Sequence, residues 1–201
     1  MPTTSTPNLD LPPFTPPLTS ILDEASCDSA SFALYNLVPG ISPERLQEIC
    51  NIPQDEWEEY SMENQAVKPA TPTADFAGKS LADVVAAHAT MDKDLTPTDG
   101  GAAEAGWWPH IFVVVTNENI EDHGLMLVYV DNPYAKPEDE EGPALKKFFF
   151  KPEKMGSILS GIALSGDDVS YLHKKYDMDG ENGGDSDGDG DDGDEDVDDE
   201  E

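Results

Sequence analysis

The stretch "HIFVVVTN" (residues 110–117) and the stretch "LMLVYVD" (residues 125–131) decide the fold of this chain. Both are short, rich in β-branched residues and almost continuously apolar, a pattern typical of strands covered on both faces. The segment "NIEDHG" (residues 119–124) between them is polar and has the length of a hairpin loop. We therefore expect the two strands to pair antiparallel.

Two further segments extend this sheet in the sequence. The stretch "ALKKFFFKP" (residues 144–152) predicts a third strand, in a central or helix-covered position, because its three consecutive phenylalanines need burial. The stretch "SFALYNLV" (residues 31–38) ends at Pro39–Gly40 and favours a buried strand, with a helical turn as the alternative.

Helices are indicated by capping signals and by apolar residues at helical spacing. Ser42 followed by Pro43, and Ser80 followed three residues later by Asp83, are typical helix starts. Further helices are predicted near Ser20, over residues 54–62, over residues 155–162 and after Asp168, while residues 64–79 and 91–106 are predicted to be loops. The fold class that follows is α/β, with α+β as the alternative, built on a small three-to-five-stranded sheet packed with helices.

The composition of the ends suggests a three-part organisation. Residues 1–19 contain six of the seventeen prolines and predict a disordered Pro/Thr-rich arm. Residues 20–176 are expected to form a single α/β domain. Residues 177–201 predict a disordered Asp/Gly-rich acidic tail, because like charges repel and few apolar groups offset the entropy of ordering.

The charge balance restricts the class of partner. The formal net charge is -32, and residues 177–201 hold 15 of the 43 acidic residues and no Lys or Arg. The remaining 28 acidic residues still outnumber the 11 basic ones, so the domain is acidic as well. A surface of this sign repels nucleic acid and anionic membranes, and it attracts basic proteins through a field that salt weakens.

The tail segment "DSDGDGDDGDED" (residues 185–196) resembles a calcium-binding EF-hand loop in the spacing of its acidic residues. The resemblance is incomplete, because position 12 is Asp196, position 8 is the charged Asp192, and no second helix follows. Weak, diffuse association of divalent cations with the tail is one alternative, and a solubilising tail with no specific partner is another. A contact with a basic protein partner is the favoured interpretation of its carboxylates, namely Asp185, Asp187, Asp189, Asp191, Asp192, Asp194, Glu195 and Asp196.

The location of the protein is indicated by what the sequence lacks. Cys27 and Cys50 do not make a disulfide framework, the N-terminus lacks the charge and apolar run of a signal peptide, and no apolar run is long enough to span a membrane. These features favour a cytoplasmic or nuclear protein. Without metal-ligand spacings or nucleotide-binding motifs, we expect no metal and no cofactor.

Candidate site residues lie at the ends of the predicted hairpin. Antiparallel pairing places Asp131 near His110, so these two residues are the candidates for a catalytic or ligand-binding site at the sheet edge. Capping of the hairpin end is the alternative role for them. His88 and Cys50 lie on apolar helix faces and are predicted to be core residues, and "GWWP" (residues 106–109) either covers the core or contacts a partner.

The order of elements from "ADFAGKSLADVV" through the two hairpin strands to "LKKFFFKPEKMGSILSGIALSGDDVSYL" resembles a family of small uncharacterised α/β domains found in bacteria and fungi. The resemblance covers roughly residues 74–180 and rests on apolar pattern. It implies one α/β domain and no particular activity. We therefore expect a non-enzymatic binding domain whose tail engages a basic protein, with a small enzyme or small-ligand binder using His110 and Asp131 as the alternative.

Overall fold

The structure is a computed structural model that describes residues 6–92, 95, 102–136 and 139–180. It has an α/β fold, as predicted, in which one five-stranded mixed sheet separates two apolar cores. The carboxylates predicted to bind a partner, from Asp185 to Asp196, lie outside the described residues.

The strands are β1 Ala25–Ser26, β2 Ser31–Asn36, β3 Val67–Pro69, β4 Ala103–Glu104, β5 Trp107–Val115, β6 Leu125–Asp131 and β7 Ala144–Phe150. The five-stranded sheet has the strand order β3-β2-β5-β6-β7. Strands β2, β3 and β5 are mutually parallel, whereas β6 runs antiparallel to both of its neighbours. A separate two-stranded parallel sheet pairs β1 with β4.

Six α-helices surround the sheet within the described residues: α1 Pro43–Asn51, α2 Gln54–Glu59, α3 Leu81–His88, α4 Ile120–His123, α5 Met155–Ser160 and α6 Val169–Tyr176. The predicted starts of α1 and α3 are confirmed, because the Ser42 hydroxyl accepts from Arg45 N–H and Ser80 forms a capping box with Asp83. A π-helical turn, Gly161–Ser165, continues α5 and ends at Gly166, whose φ of 67° is left-handed.

Alternate residues of each central strand enter opposite cores, because successive side chains of a strand point to opposite faces. On β5, Ile111, Val113 and Val115 enter the first core, and Phe112 and Val114 enter the second. Helices α1, α2, α5 and α6 contribute to the first core and α3 to the second. This two-sided burial explains the continuous apolar runs that identified β5 and β6.

The N-terminal segment departs from the prediction of a disordered arm. A 3₁₀ turn at Pro16–Leu18 places Leu18 in the second core with only 1 % of its surface exposed. Leu9, Leu11 and Phe14 pack against the same core, and Asn8 C=O accepts from Leu81 N–H. These apolar side chains cover a face of the sheet, so the folded unit begins well before residue 20.

Other boundaries also differ from the prediction. Residues 19–24 form turns rather than a helix, and the two predicted loops contain the short strands β3 and β4. Strand β7 lies at the edge of the sheet, where its phenylalanines are covered from both faces. Beyond α6, Met178 N–H donates to Phe149 C=O, so the packed chain continues past residue 176.

Candidate functional site

A cleft of about 300 Å³ lies at the sheet edge where β2 and β5 begin and β6 ends. It contains both residues that the sequence singled out, His110 and Asp131. Its lining combines apolar, aromatic and acidic side chains from β5, β6, the loop after β6, the π-helical turn and the start of α6: Trp108, His110, Ile111, Tyr129, Val130, Asp131, Asn132, Pro133, Tyr134, Ile162, Gly166, Asp167, Asp168 and Val169.

The cleft exists because the strand ladders are interrupted at Pro109. Ser31 of β2 pairs with Trp107 of β5, but the next pair along the ladder joins Ala33 to Phe112. Proline has no N–H to donate to a ladder, so a proline inside a central strand requires such an irregularity. Pairing of β5 with β6 also ends at Ile111–Tyr129. Since β6 continues to pair with β7 as far as Asp131, its last residues have no partner strand on the β5 side.

His110 lies in this interrupted part of β5 and is 7 % exposed. Its Nδ1 is buried and has no hydrogen-bond partner among the described residues, and the same is true of the neighbouring Trp108 Nε1. Burial lowers the pKa of His110 from 6.5 to about 4, so the imidazole is neutral at pH 7. A buried polar atom without a partner costs about 1–3 kcal/mol, which marks this ring as a candidate ligand contact.

Asp131 makes its hydrogen bonds with residues other than His110. Ser170 Oγ donates to Asp131 Oδ1 at 2.5 Å, and Lys146 Nζ lies 2.5 Å from Asp131 Oδ2. Partial burial alone raises the pKa of Asp131, but the hydrogen bonds from Lys146 and Ser170 bring it below its ordinary value. Asp131 and His110 therefore share a cleft without forming a hydrogen-bonded catalytic pair.

Two more carboxylates, Asp167 and Asp168, line the cleft at the start of α6. The Asp168 side chain accepts from Ser170 N–H and so caps the helix. Neither carboxylate lies within ion-pair distance of a Lys or Arg in the part of the chain that the structure describes. Lys175 lies near enough to Asp167 to interact with it electrostatically, so the negative charge on the α6 side of the cleft is partly but not fully offset.

Sequence reasoning missed the residues behind the cleft. Tyr129 Oη and His173 Nδ1 are 2.9 Å apart, and His173 Nε2 lies 3.5 Å from Asp177 Oδ2. Burial raises the pKa of the Tyr129 hydroxyl, and the charge of Asp131 raises it further. The available signal concerned Lys146. The register of β7 on β6 pairs Lys146 with Tyr129, and this places Lys146 diagonally opposite Asp131.

The opposite edge of the sheet, where β2 and β5 end, keeps its polar groups internally bonded. The buried Asn36 side chain accepts from Val38 N–H and donates to Val38 C=O and to Asp75 Oδ1. Asn119 caps α4 by accepting from Asp122 N–H.

A second, more open hollow of about 420 Å³ adjoins the cleft through Asn132, Pro133 and Tyr134.

The other candidate residues belong to the core. His88 is buried, with Nδ1 3.0 Å from Tyr35 Oη and Nε2 3.0 Å from Trp108 C=O, which confirms the prediction. Cys50 is buried in the first core, also as predicted, and both cysteines are free. In the "GWWP" stretch, Trp108 stacks on Phe32 with ring centroids 5.1 Å apart. These tryptophans therefore cover the core.

Metal and membrane signatures can be assessed for the same residues. Among residues 6–92, 95, 102–136 and 139–180, no group of three or more His, Cys, Asp or Glu side chains is arranged to hold a metal ion. No helix in these ranges combines the length and the apolar character needed to cross a bilayer.

Comparison with known proteins gives no relative for this chain: no protein-family model, no curated protein and no solved structure matches it. The resemblance to a family of small α/β domains therefore stays a prediction, and the function has to be argued from the charge and the cleft alone.

Proposed function

We propose that this chain is a non-enzymatic binding domain that engages a basic protein partner in the cytosol or nucleus. The observation that carries the proposal is the excess of carboxylates, with a formal net charge of -32. Within the described residues, Lys and Arg make ion pairs with only three carboxylates, those of Glu48, Glu121 and Asp131. The other carboxylates of the described residues have no Lys or Arg within ion-pair distance, so their charge attracts cationic surfaces over about a Debye length.

The protonation states of the candidate catalytic groups favour binding over catalysis. A general base works best with a pKa near the working pH, and His110, at about 4, is too weak a base at pH 7. A nucleophilic cysteine needs a lowered pKa, whereas burial raises the pKa of Cys27 to about 11 and that of Cys50 to about 12. The carboxylate of Asp131 is already engaged by Lys146 and Ser170.

The proposal is tested with the full chain and a fluorescent peptide of repeated Lys-Gly-Ser units. Affinity is measured by anisotropy at several salt concentrations from about 0.05 M to about 0.5 M, over which the screening length falls severalfold. We expect binding that weakens steeply with salt, and no binding of a matched peptide in which Gln replaces Lys. Replacement of the eight carboxylates between residues 185 and 196 by Asn or Gln should weaken binding at low salt.

The matched control is a chain in which the order of residues 181–201 is shuffled at constant composition. Attraction by a diffuse field depends on charge and not on order, so the shuffled chain should bind like the wild type. Loss of binding on shuffling, or binding that salt does not affect, would contradict the proposal. Stoichiometric Ca²⁺ uptake that shuffling abolishes would instead support a specific loop in the tail.

A second candidate function, small-ligand binding at the sheet edge, is favoured by the unpartnered Nδ1 of His110 inside a formed cleft. It predicts that an added ligand stabilises the chain against unfolding, and that His110→Ala or Asp131→Ala removes this stabilisation while the carboxylates of residues 185–196 are dispensable.

A further inference from the structure

We propose that the cleft between β5, β6 and α6 binds a single cationic side chain, the ammonium of a lysine or the guanidinium of an arginine, presented by the basic protein partner. This inference rests on the proposed function and adds a specific contact to it. The long-range field selects for basic proteins in general, and the cleft then accepts one of their side chains.

The walls of the cleft match the shape and chemistry of such a side chain. A lysine or arginine has an aliphatic stem and a charged head, so it fits a site whose walls are apolar and whose end is acidic. Ile111, Ile162 and Val169, which lie on the side of the first core, supply the apolar wall, and the volume of about 300 Å³ is at the small end for ligand sites. The cleft thus suits one extended side chain better than a larger ligand.

The charges in the cleft select a cation. Asp131 is neutralised by Lys146, but Asp167 and Asp168 have no Lys or Arg within ion-pair distance among the described residues. The N-terminus of α6 would by itself favour an anion. Here Asp168 caps that end by accepting from Ser170 N–H and places a negative charge there, so the start of the helix does not reverse the sign of the site.

His110 provides an independent indication that the cleft receives a ligand. The ring is buried to more than nine-tenths, lines the cleft, and has an Nδ1 without a hydrogen-bond partner among the described residues. A neutral imidazole offers one acceptor nitrogen, and ammonium and guanidinium groups carry only donors. A cationic head that donates to the ring would give this nitrogen the partner that the described residues do not supply.

Tyr134 completes the site at its mouth. It is 73 % exposed, and it lines both the cleft and the adjoining hollow. An exposed aromatic ring beside an acidic cleft is a favourable platform for a cation, because the ring face is negative. The aromatic mouth therefore also favours a positively charged ligand.

The experiment uses the full chain and two short peptides that are identical except that the central arginine of one is citrulline in the other. Binding is followed by NMR at the Trp108 indole and the His110 ring. We expect saturable shifts at both groups with the arginine peptide, similar shifts with a lysine peptide, and none with citrulline or acetyl-lysine. The double variant D167N/D168N should lower the affinity about three- to tenfold, because two partly exposed charge interactions are lost.

The design controls for folding and for general electrostatics. Asn is as good an N-cap as Asp, so D167N/D168N keeps the start of α6, and thermal unfolding checks this. The control variant E59Q/E63Q removes two exposed carboxylates from another part of the surface and should change the affinity less than about twofold. Equal weakening by both double variants would overturn the assignment of the cleft.

Two other outcomes would also overturn the inference: shifts with the citrulline peptide, or wild-type affinity in D167N/D168N. The proposed function fails separately. The proposed function is contradicted if the Lys-Gly-Ser peptide shows no salt-sensitive binding. It is supported, and only the cleft assignment is contradicted, if that binding persists while the NMR signals of Trp108 and His110 do not shift.

Discussion

Replacement of His110 by an apolar residue should stabilise the chain, and increasingly so at low pH. Burial lowers the pKa of His110 from 6.5 to about 4, so between these values the unfolded chain binds a proton that the folded chain does not. The free energy of unfolding therefore falls as the pH falls through this window. At 1.36 kcal/mol per pKa unit, the wild type loses about 2 kcal/mol from this residue between about pH 7.5 and about pH 5.

The variants His110→Phe and His110→Leu have no such group. At neutral pH each should gain part of the roughly 1–3 kcal/mol that the unpartnered Nδ1 costs, offset by any change in packing. Packing changes do not depend on pH, so the difference between the two pH values isolates the histidine. Urea unfolding at both pH values measures it, and we expect the advantage of the variants over the wild type to grow by about 2 kcal/mol at the lower pH.

The control is Gln47→Ala, which changes an exposed residue of α1 that has no titratable group and should leave the pH dependence of unfolding at its wild-type level. Parallel loss of stability in His110→Leu and the wild type on acidification would refute the reasoning, because it would mean that the imidazole can be protonated in the folded chain. It would also remove the argument that His110 is too weak a base for catalysis.

Further predictions concern the two cores. Leu18→Ala should lower the free energy of unfolding by about 2–5 kcal/mol, as for a core leucine, and urea unfolding measures this. A change near zero would support the disordered N-terminal arm that the sequence predicted. His88→Leu should lower the free energy of unfolding by about 1–3 kcal/mol, because it leaves Tyr35 Oη and Trp108 C=O without their histidine partner. This effect is opposite in sign to that of His110→Leu. A stabilised His88→Leu variant would contradict the two hydrogen bonds. Ser80→Ala should cost about 1 kcal/mol of unfolding free energy through loss of the capping box, with Ser80→Thr as the nearly neutral control.

The sequence predicted those parts of the fold that local pattern determines. Apolar runs identified β2, β5, β6 and β7, and capping residues located the starts of α1 and α3. Strand β3 has only three residues, too few to show an alternation, so it was assigned to a loop. The N-terminal segment was misjudged because its average composition is that of a linker, while four spaced apolar residues are enough to hold it on the sheet: Leu9, Leu11, Phe14 and Leu18.

The site was predictable only where it depends on hairpin register. Antiparallel pairing of β5 with β6 brought His110 and Asp131 to one edge, and both line the cleft. The partners of Asp131, Lys146 and Ser170, come from distant parts of the chain, and no local pattern indicates that proximity. Pro109 was an unused signal, because a proline next to a strong strand indicates an interrupted ladder.

The most direct test of the account is the salt dependence of binding between the full chain and the arginine peptide, compared with its citrulline counterpart by isothermal titration. The account predicts measurable binding of the arginine peptide at low salt, a steep loss of affinity as salt rises, and no binding of the citrulline peptide under any of these conditions. Equal binding of the two peptides, or an affinity that does not change with salt, would contradict it.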